Sequence, residues 1–163
     1  MDDLDVVSWQ LGRPAEPFRR VAVRCAYGFP AVTEQPPFTS GGRPFPTTYY
    51  LTCPWLVAGI ARLEAAGGVA RFARAAKEDP ALGRSLAEAD LEQRASRPEL
   101  DVGIGGTRTA GALKCLHAHG AYALARPGYL LGERILEEAG ELWCPDGRCA
   151  AAAAETAETA PTA

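Results

Sequence analysis

The side chains with the clearest capacity for chemistry lie in the segment "KCLHAH", Lys114–His119, which holds one cysteine and both histidines of the chain. The segment is typical of a helix. In a helix Cys115 and His119 are four positions apart and share one face, whereas His117 lies about 200 degrees from Cys115. Two side chains at this spacing are suited to hold one ion.

Two further thiols flank an Asp-Gly turn in "CPDGRC", Cys144–Cys149. Such a turn can direct both sulfur atoms inward. We therefore expect Cys115, His119, Cys144 and Cys149 to form one tetrahedral metal site. Zinc fits best, because thiolate with imidazole suits this ion. A site filled by four protein ligands would be structural.

Cys25, Cys53 and His117 are alternative ligands. Cys53 precedes a predicted helix, whose N-terminus favours a thiolate, so it is also a candidate reactive thiol. Cys25 ends a predicted strand that could lie beside it. The two could form a separate site with Cys115 and a histidine, or they could simply be core residues, since cysteine is often buried.

A glycine-rich segment, "GIGGTRTAG", precedes the "KCLHAH" helix. Backbone amides near Arg108 and Lys114 would attract an anion. The segment lacks the spacing of the known phosphate-binding loops, so a connector is the favoured interpretation and an anion site the weaker one.

Composition narrows the class of protein. The 163 residues carry a net charge of -3 with scattered basic residues, which argues against nucleic acid as a partner. We expect no membrane insertion and a cytoplasmic location, because no apolar run approaches about 20 residues and the acidic N-terminus does not resemble a signal peptide. A reducing compartment would leave the five cysteines for metal binding, catalysis or burial.

The elements that must position these residues predict an α+β fold. It is a mainly helical single domain over 1–149, with a short N-terminal β-hairpin or small sheet and a disordered Ala/Glu/Thr tail over 150–163. Period-two alternation predicts strands at "RRVAVRC" and "AVTEQ". Capping and breaker residues predict helices at Pro54–Ala66, Val69–Lys77 and Pro80 to about Ala95.

The predicted first and second halves of the domain are joined by a loop rich in proline and glycine, 35–48, which runs into the aromatic strand "YYLTCP". Phe38 and Phe45 are its apolar anchors. Segment 38–50 is a candidate docking surface for a protein partner.

Four motifs in this order, "VRCAYGFPAVTEQPP", "GRPFPTTYYLTCPWLVAGIARLEAAGG", "KCLHAHGAYALA" and "CPDGRC", resemble the bacterial family known as domain of unknown function 501. The resemblance implies a small cytosolic bacterial protein, often encoded near a septum-formation initiator and an exopolyphosphatase, and hence a role linked to cell division or phosphate metabolism. It also implies that Cys25, Cys53, Cys115 and His117 belong to characteristic motifs of the family.

Three functions are therefore open. The first is a metal-binding domain in which zinc ties the terminal segment to the "KCLHAH" helix. The second is a protein-interaction partner that uses segment 38–50. The third is a thiol- or metal-dependent enzyme.

Overall fold

The computed structural model describes residues 1–158, with side chains described through 154. It shows a mainly helical α+β fold with a small three-stranded antiparallel sheet, and it confirms the fold class expected from the sequence. In chain order the described elements are α1 (Asp3–Leu11), β1 (Arg20–Arg24), β2 (Pro30–Glu34), β3 (Tyr49–Leu51), α2 (Pro54–Ala65), α3 (Gly68–Glu78), α4 (Pro80–Ser96), a 3-10 turn (Ile104–Gly106), α5 (Leu116–Ala125), α6 (Leu130–Ala139) and α7 (Arg148–Glu158).

Local capping groups set the boundaries of several helices. At α1, the Asp2 side chain accepts the Asp5 amide at 2.9 Å and the Asp5 side chain accepts the Asp2 amide at 3.2 Å, which forms a reciprocal capping box. Asp79 caps α4 and accepts the Ala81 amide at 2.9 Å. Proline occupies the first position of α2 and of α4, where a missing amide proton costs nothing.

The sheet has strand order β1-β2-β3, and both strand pairs are antiparallel. Its central strand, β2, is buried over its first four residues, as a strand covered on both faces should be. The hairpin predicted at "RRVAVRC" and "AVTEQ" is thus present. An irregular register interrupts the β1–β2 pairing on either side of Val23, close to the point where Cys25 leaves the sheet.

Helix α5 lies at the centre of the protein and contacts β3, α2 and α6. Leu116 and Ala121 of this helix are completely buried. The approach of α6 is close, because a Cβ atom added at Gly132 would lie 2.6 Å from both the Ala123 Cβ and the His119 carbonyl oxygen. Side chains on α5 are therefore held in fixed surroundings.

The proline-rich loop is packed on the end of α4. Arg97, only 3% exposed, donates to the carbonyl oxygens of Phe45, at 2.7 Å, and of Gln35. The Phe45 and Tyr50 rings meet edge to face with centroids 5.6 Å apart. Phe38 remains exposed, and a partner docked on segment 38–50 stays a prediction.

Within the predicted tail, the structure places 150–158 in α7. Alanine has the highest helix propensity, so the run of alanines continues the helix begun at Arg148. The remainder of the predicted tail, 159–163, lies outside the described residues. No helix in the described part of the chain is both long and apolar enough to cross a bilayer.

Candidate metal centre

The structure divides the predicted ligands between different parts of the protein. Helix α5 begins at Leu116, and Cys115 precedes it with an extended backbone, φ -144° and ψ 115°. The helical spacing that would have placed Cys115 beside His119 therefore does not apply. Cys144 and Cys149 line a cavity whose lining includes neither of these residues. Among the described residues, no three of the four ligands predicted from the sequence lie within 4.8 Å of one another.

His119 lies instead in the hydrophobic core. Its side chain has no exposed surface, and Nδ1 lies 2.7 Å from the hydroxyl oxygen of Tyr129. Burial lowers the pKa of His119 to about 4. The imidazole is therefore neutral at pH 7 and accepts the hydroxyl proton of Tyr129 at Nδ1. Among the described residues, its Nε2 has no hydrogen-bond partner.

Cys115, His117 and Glu64 form a compact cluster, called the α5 cluster below. One ligand atom of each lies within 4.8 Å of the others, and in the described part of the chain this is the one group of three metal-ligating side chains that meets this distance. The His117 Nδ1 atom lies 3.2 Å from Glu64 Oε1 and 3.9 Å from Cys115 Sγ. On its other side, His117 Nε2 lies 3.1 Å from the carbonyl oxygen of Val57.

Glu64 reaches this cluster from α2 and was not identified from the sequence. Its Oε1 atom also accepts the amide of Leu116 at 2.7 Å, so it caps the N-terminus of α5 from another helix. No local pattern marks such a residue, since helix caps are normally sought within the preceding few positions. Its position near the C-terminal end of α2 follows only from the packing of α2 against α5.

Cys115 and His117 of the α5 cluster each favour the charged form of the other. Burial raises the pKa of the Cys115 thiol, but the hydrogen bond with His117 and the Ala118 amide in the first turn of α5 outweigh burial and leave that pKa below its ordinary value. The hydrogen bond with Cys115 is the main cause that raises the pKa of His117 to about 9. The Cys115 thiolate and the His117 imidazolium therefore stabilise each other.

A cavity of about 320 Å³ opens beside the α5 cluster. Cys115 and His117 form part of its wall. The rest of the lining comes from α1, from β3 and the loop before it, and from single residues of α2 and α5: Leu11, Thr47, Tyr49, Tyr50, Leu51, Val57 and Ala118. The cavity is of a size that accepts a small molecule, and Tyr49 and Tyr50 share its wall with Cys115 and His117.

The four remaining cysteines line a second, much smaller cavity, and they are called the four-thiol cluster below. Cys25 and Cys53 meet Cys144 and Cys149 there. All five cysteines of the chain are free thiols. The alternative set Cys25 and Cys53 thus lies with the C-terminal pair, while Cys115 and His117 lie apart from it.

The amides of the glycine-rich loop bind a carboxylate group of the protein itself. The amides of Ile104 and Gly111 donate to the carboxylate of Asp90 at 3.0 and 3.4 Å. Arg108 and Lys114 are exposed. The geometry therefore lends no support to an anion site at these two residues, because a side chain of the protein already accepts from the loop amides.

Residues 21–100 match the family described as protein of unknown function (DUF501). The chain is a member of the DUF501 family. The matched segment of this DUF501 protein includes Cys25, Cys53 and Glu64 and ends before Cys115. No curated protein and no solved structure matches the chain.

Proposed function

We propose that this DUF501 protein binds one transition-metal ion, for which zinc is the best fit, through Glu64, Cys115 and His117. The observation that carries the proposal is the convergence of a carboxylate, a thiol and an imidazole within 4.8 Å. Zinc accepts this mixture of oxygen, sulfur and nitrogen ligands.

The orientation of His117 supports the proposal. When Nε2 carries the proton and donates it to the Val57 carbonyl at 3.1 Å, the lone pair of Nδ1 points toward Cys115 and Glu64. Metal-ligating histidines are commonly held by such a backbone carbonyl on the second ring nitrogen. The Leu116 amide orients Glu64 in the same way.

Three protein ligands leave one position of a tetrahedral zinc ion for water or for a small ligand. The cavity of about 320 Å³ adjoins Cys115 and His117, so such a ligand has a place to bind. This arrangement distinguishes the α5 cluster from a closed structural site and supports binding of a small molecule at the metal.

The test is the metal content of the protein purified without chelator. Glu64→Gln, Cys115→Ser and His117→Gln should each lose about one equivalent of zinc relative to the unmodified protein, because each removes one of three ligands. His119→Gln is the matched control, since it changes the other histidine of α5 and should leave the metal content unchanged. Equal metal content in His117→Gln and the unmodified protein would refute the proposal.

A second candidate function is thiol chemistry at Cys115, favoured by the adjacent His117. In this case Cys115 acts as a nucleophile paired with an imidazolium, as in thiol enzymes. Rapid alkylation of Cys115 at neutral pH that slows in His117→Gln, together with a metal content unchanged by that substitution, would select this function over metal binding.

A further inference from the structure

The four-thiol cluster gathers side chains from three distant parts of the chain. Cys25 stands in the turn after β1, and Cys53 directly precedes α2. Cys144 comes before the turn that leads into α7, and Cys149 lies in the first turn of α7. All four line the same small cavity. Cysteine burial alone does not explain this, because unrelated core cysteines have no reason to share one cavity.

The cavity is small and nearly enclosed by apolar groups. It measures about 10 Å³, which is space for about one water-sized sphere. Cys53, Cys144 and Cys149 are each less than 10% exposed, and aromatic side chains complete the wall: Tyr27, Phe29, Trp55 and Trp143. A single ion fits this space, whereas an organic ligand does not.

Polar groups around the cluster are placed to support charged sulfur. Gln10 donates to Cys149 Sγ at 3.4 Å, and the same amide group donates to the Pro30 carbonyl at 2.8 Å, which fixes its direction. The guanidinium group of Arg148 lies over the Trp55 ring, 5.3 Å from its centroid, next to the thiols. Its positive charge would offset part of the excess negative charge of four thiolates around a divalent ion.

The turn between Cys144 and Cys149 is itself held in place. The Tyr27 hydroxyl donates to the Cys144 carbonyl oxygen at 3.0 Å. Gly147 adopts φ 56° and packs against the Tyr27 ring, so that a Cβ atom there would approach the ring to 3.2 Å. A side chain is thus disfavoured at Gly147 both by its backbone conformation and by this contact.

We propose that Cys25, Cys53, Cys144 and Cys149 bind a single zinc ion in a closed structural site. Binding exchanges four S–H bonds for four Zn–S bonds and releases four protons to solvent. No three of the four sulfur atoms lie within 4.8 Å of one another, whereas Zn–S bonds of about 2.3 Å place tetrahedral ligands about 3.8 Å apart. Binding therefore draws the three segments inward.

This site is separate from the α5 cluster, and its test is read separately. The His117→Gln protein, purified without chelator, should retain about one equivalent of zinc, and X-ray absorption should show about four sulfur neighbours at about 2.3 Å. Absence of zinc from this variant, or a first shell dominated by nitrogen and oxygen, overturns the proposal. Either result bears only on the four-thiol cluster. The α5 cluster is tested separately, by the difference in zinc content between His117→Gln and the unmodified protein.

A second measurement needs no substitution. Alkylation of the unmodified protein followed by peptide mapping should find all four thiols protected, and removal of zinc by chelator should raise their alkylation rates together, by at least about tenfold. Unchanged rates with and without chelator contradict the proposal, as does a Cys144–Cys149 disulfide in the freshly purified, zinc-loaded protein.

Discussion

Replacement of His119 by glutamine should flatten the dependence of stability on pH on the acidic side of neutrality. His119 is fully buried, and desolvation lowers its pKa from 6.5 to about 4. Between these values the unfolded chain binds a proton that the folded protein does not. The free energy of unfolding therefore falls as pH falls, by at most about 1.4 kcal/mol per pH unit.

Over the interval from pH 6.5 to about 4 this effect amounts to about 3 kcal/mol. Glutamine does not titrate there, and its carbonyl oxygen is able to accept a hydrogen bond from the Tyr129 hydroxyl. Urea unfolding of both proteins, followed by circular dichroism in steps across this range, measures the difference between them. Zinc binding also weakens in acid, but this weakening affects the stability of both proteins alike, because His119 belongs to neither the α5 cluster nor the four-thiol cluster.

Parallel stability curves for the two proteins between pH 6.5 and 4 would show that His119 is not a buried neutral imidazole. A steeper loss in the variant than in the unmodified protein would be equally incompatible with this reasoning. As the solution is acidified, the free energy of unfolding of the unmodified protein should fall faster than that of His119→Gln, so that the two stability curves approach or cross.

Other predictions concern packing, capping and thiol reactivity. Gly132→Ala should lower the free energy of unfolding in urea by about 1–3 kcal/mol, because the new methyl group would lie 2.6 Å from atoms of α5. Gly41→Ala is the control. Its methyl group would come no closer than 3.8 Å to the Thr39 hydroxyl, so it should change stability by less than about 0.5 kcal/mol. Asp79→Ala removes the acceptor at the start of α4 and should cost about 1 kcal/mol; no loss of thermal stability would contradict that role. In chelator-treated protein at pH 7.5, iodoacetamide should label Cys115 faster than Cys53, because the pKa of Cys115 is lowered and burial raises that of Cys53; the reverse order would contradict the pairing with His117.

Elements with local signals were predictable from the sequence. The alternation at Val21 and Val23 predicted β1, and proline with a preceding Asp79 predicted the start of α4. The start of α5 was harder to predict from the sequence. The segment before Leu116 contains no favoured capping residue, since its cap comes from Glu64 on another helix, and the predicted helix consequently began too early.

That boundary decided the interpretation of the histidines. A helical Cys115 would share a helix face with His119. In the structure Cys115 is extended, its sulfur lies near His117, and His119 is buried in the core. The grouping of Cys25 and Cys53 with the C-terminal pair depends on how three remote segments pack. Residue types and spacing therefore identified the candidate ligands, and only tertiary contacts could sort them into clusters.

The bond between the Leu116 amide and Glu64 makes the start of α5 a local reporter of occupancy. The oxygen that accepts this amide also faces His117, and a ligating carboxylate shares its electron density between an ion and its hydrogen-bond donor. Amide hydrogen exchange at Leu116 should therefore change when zinc enters the α5 cluster, while exchange in α4, which does not contribute a ligand, stays as it was.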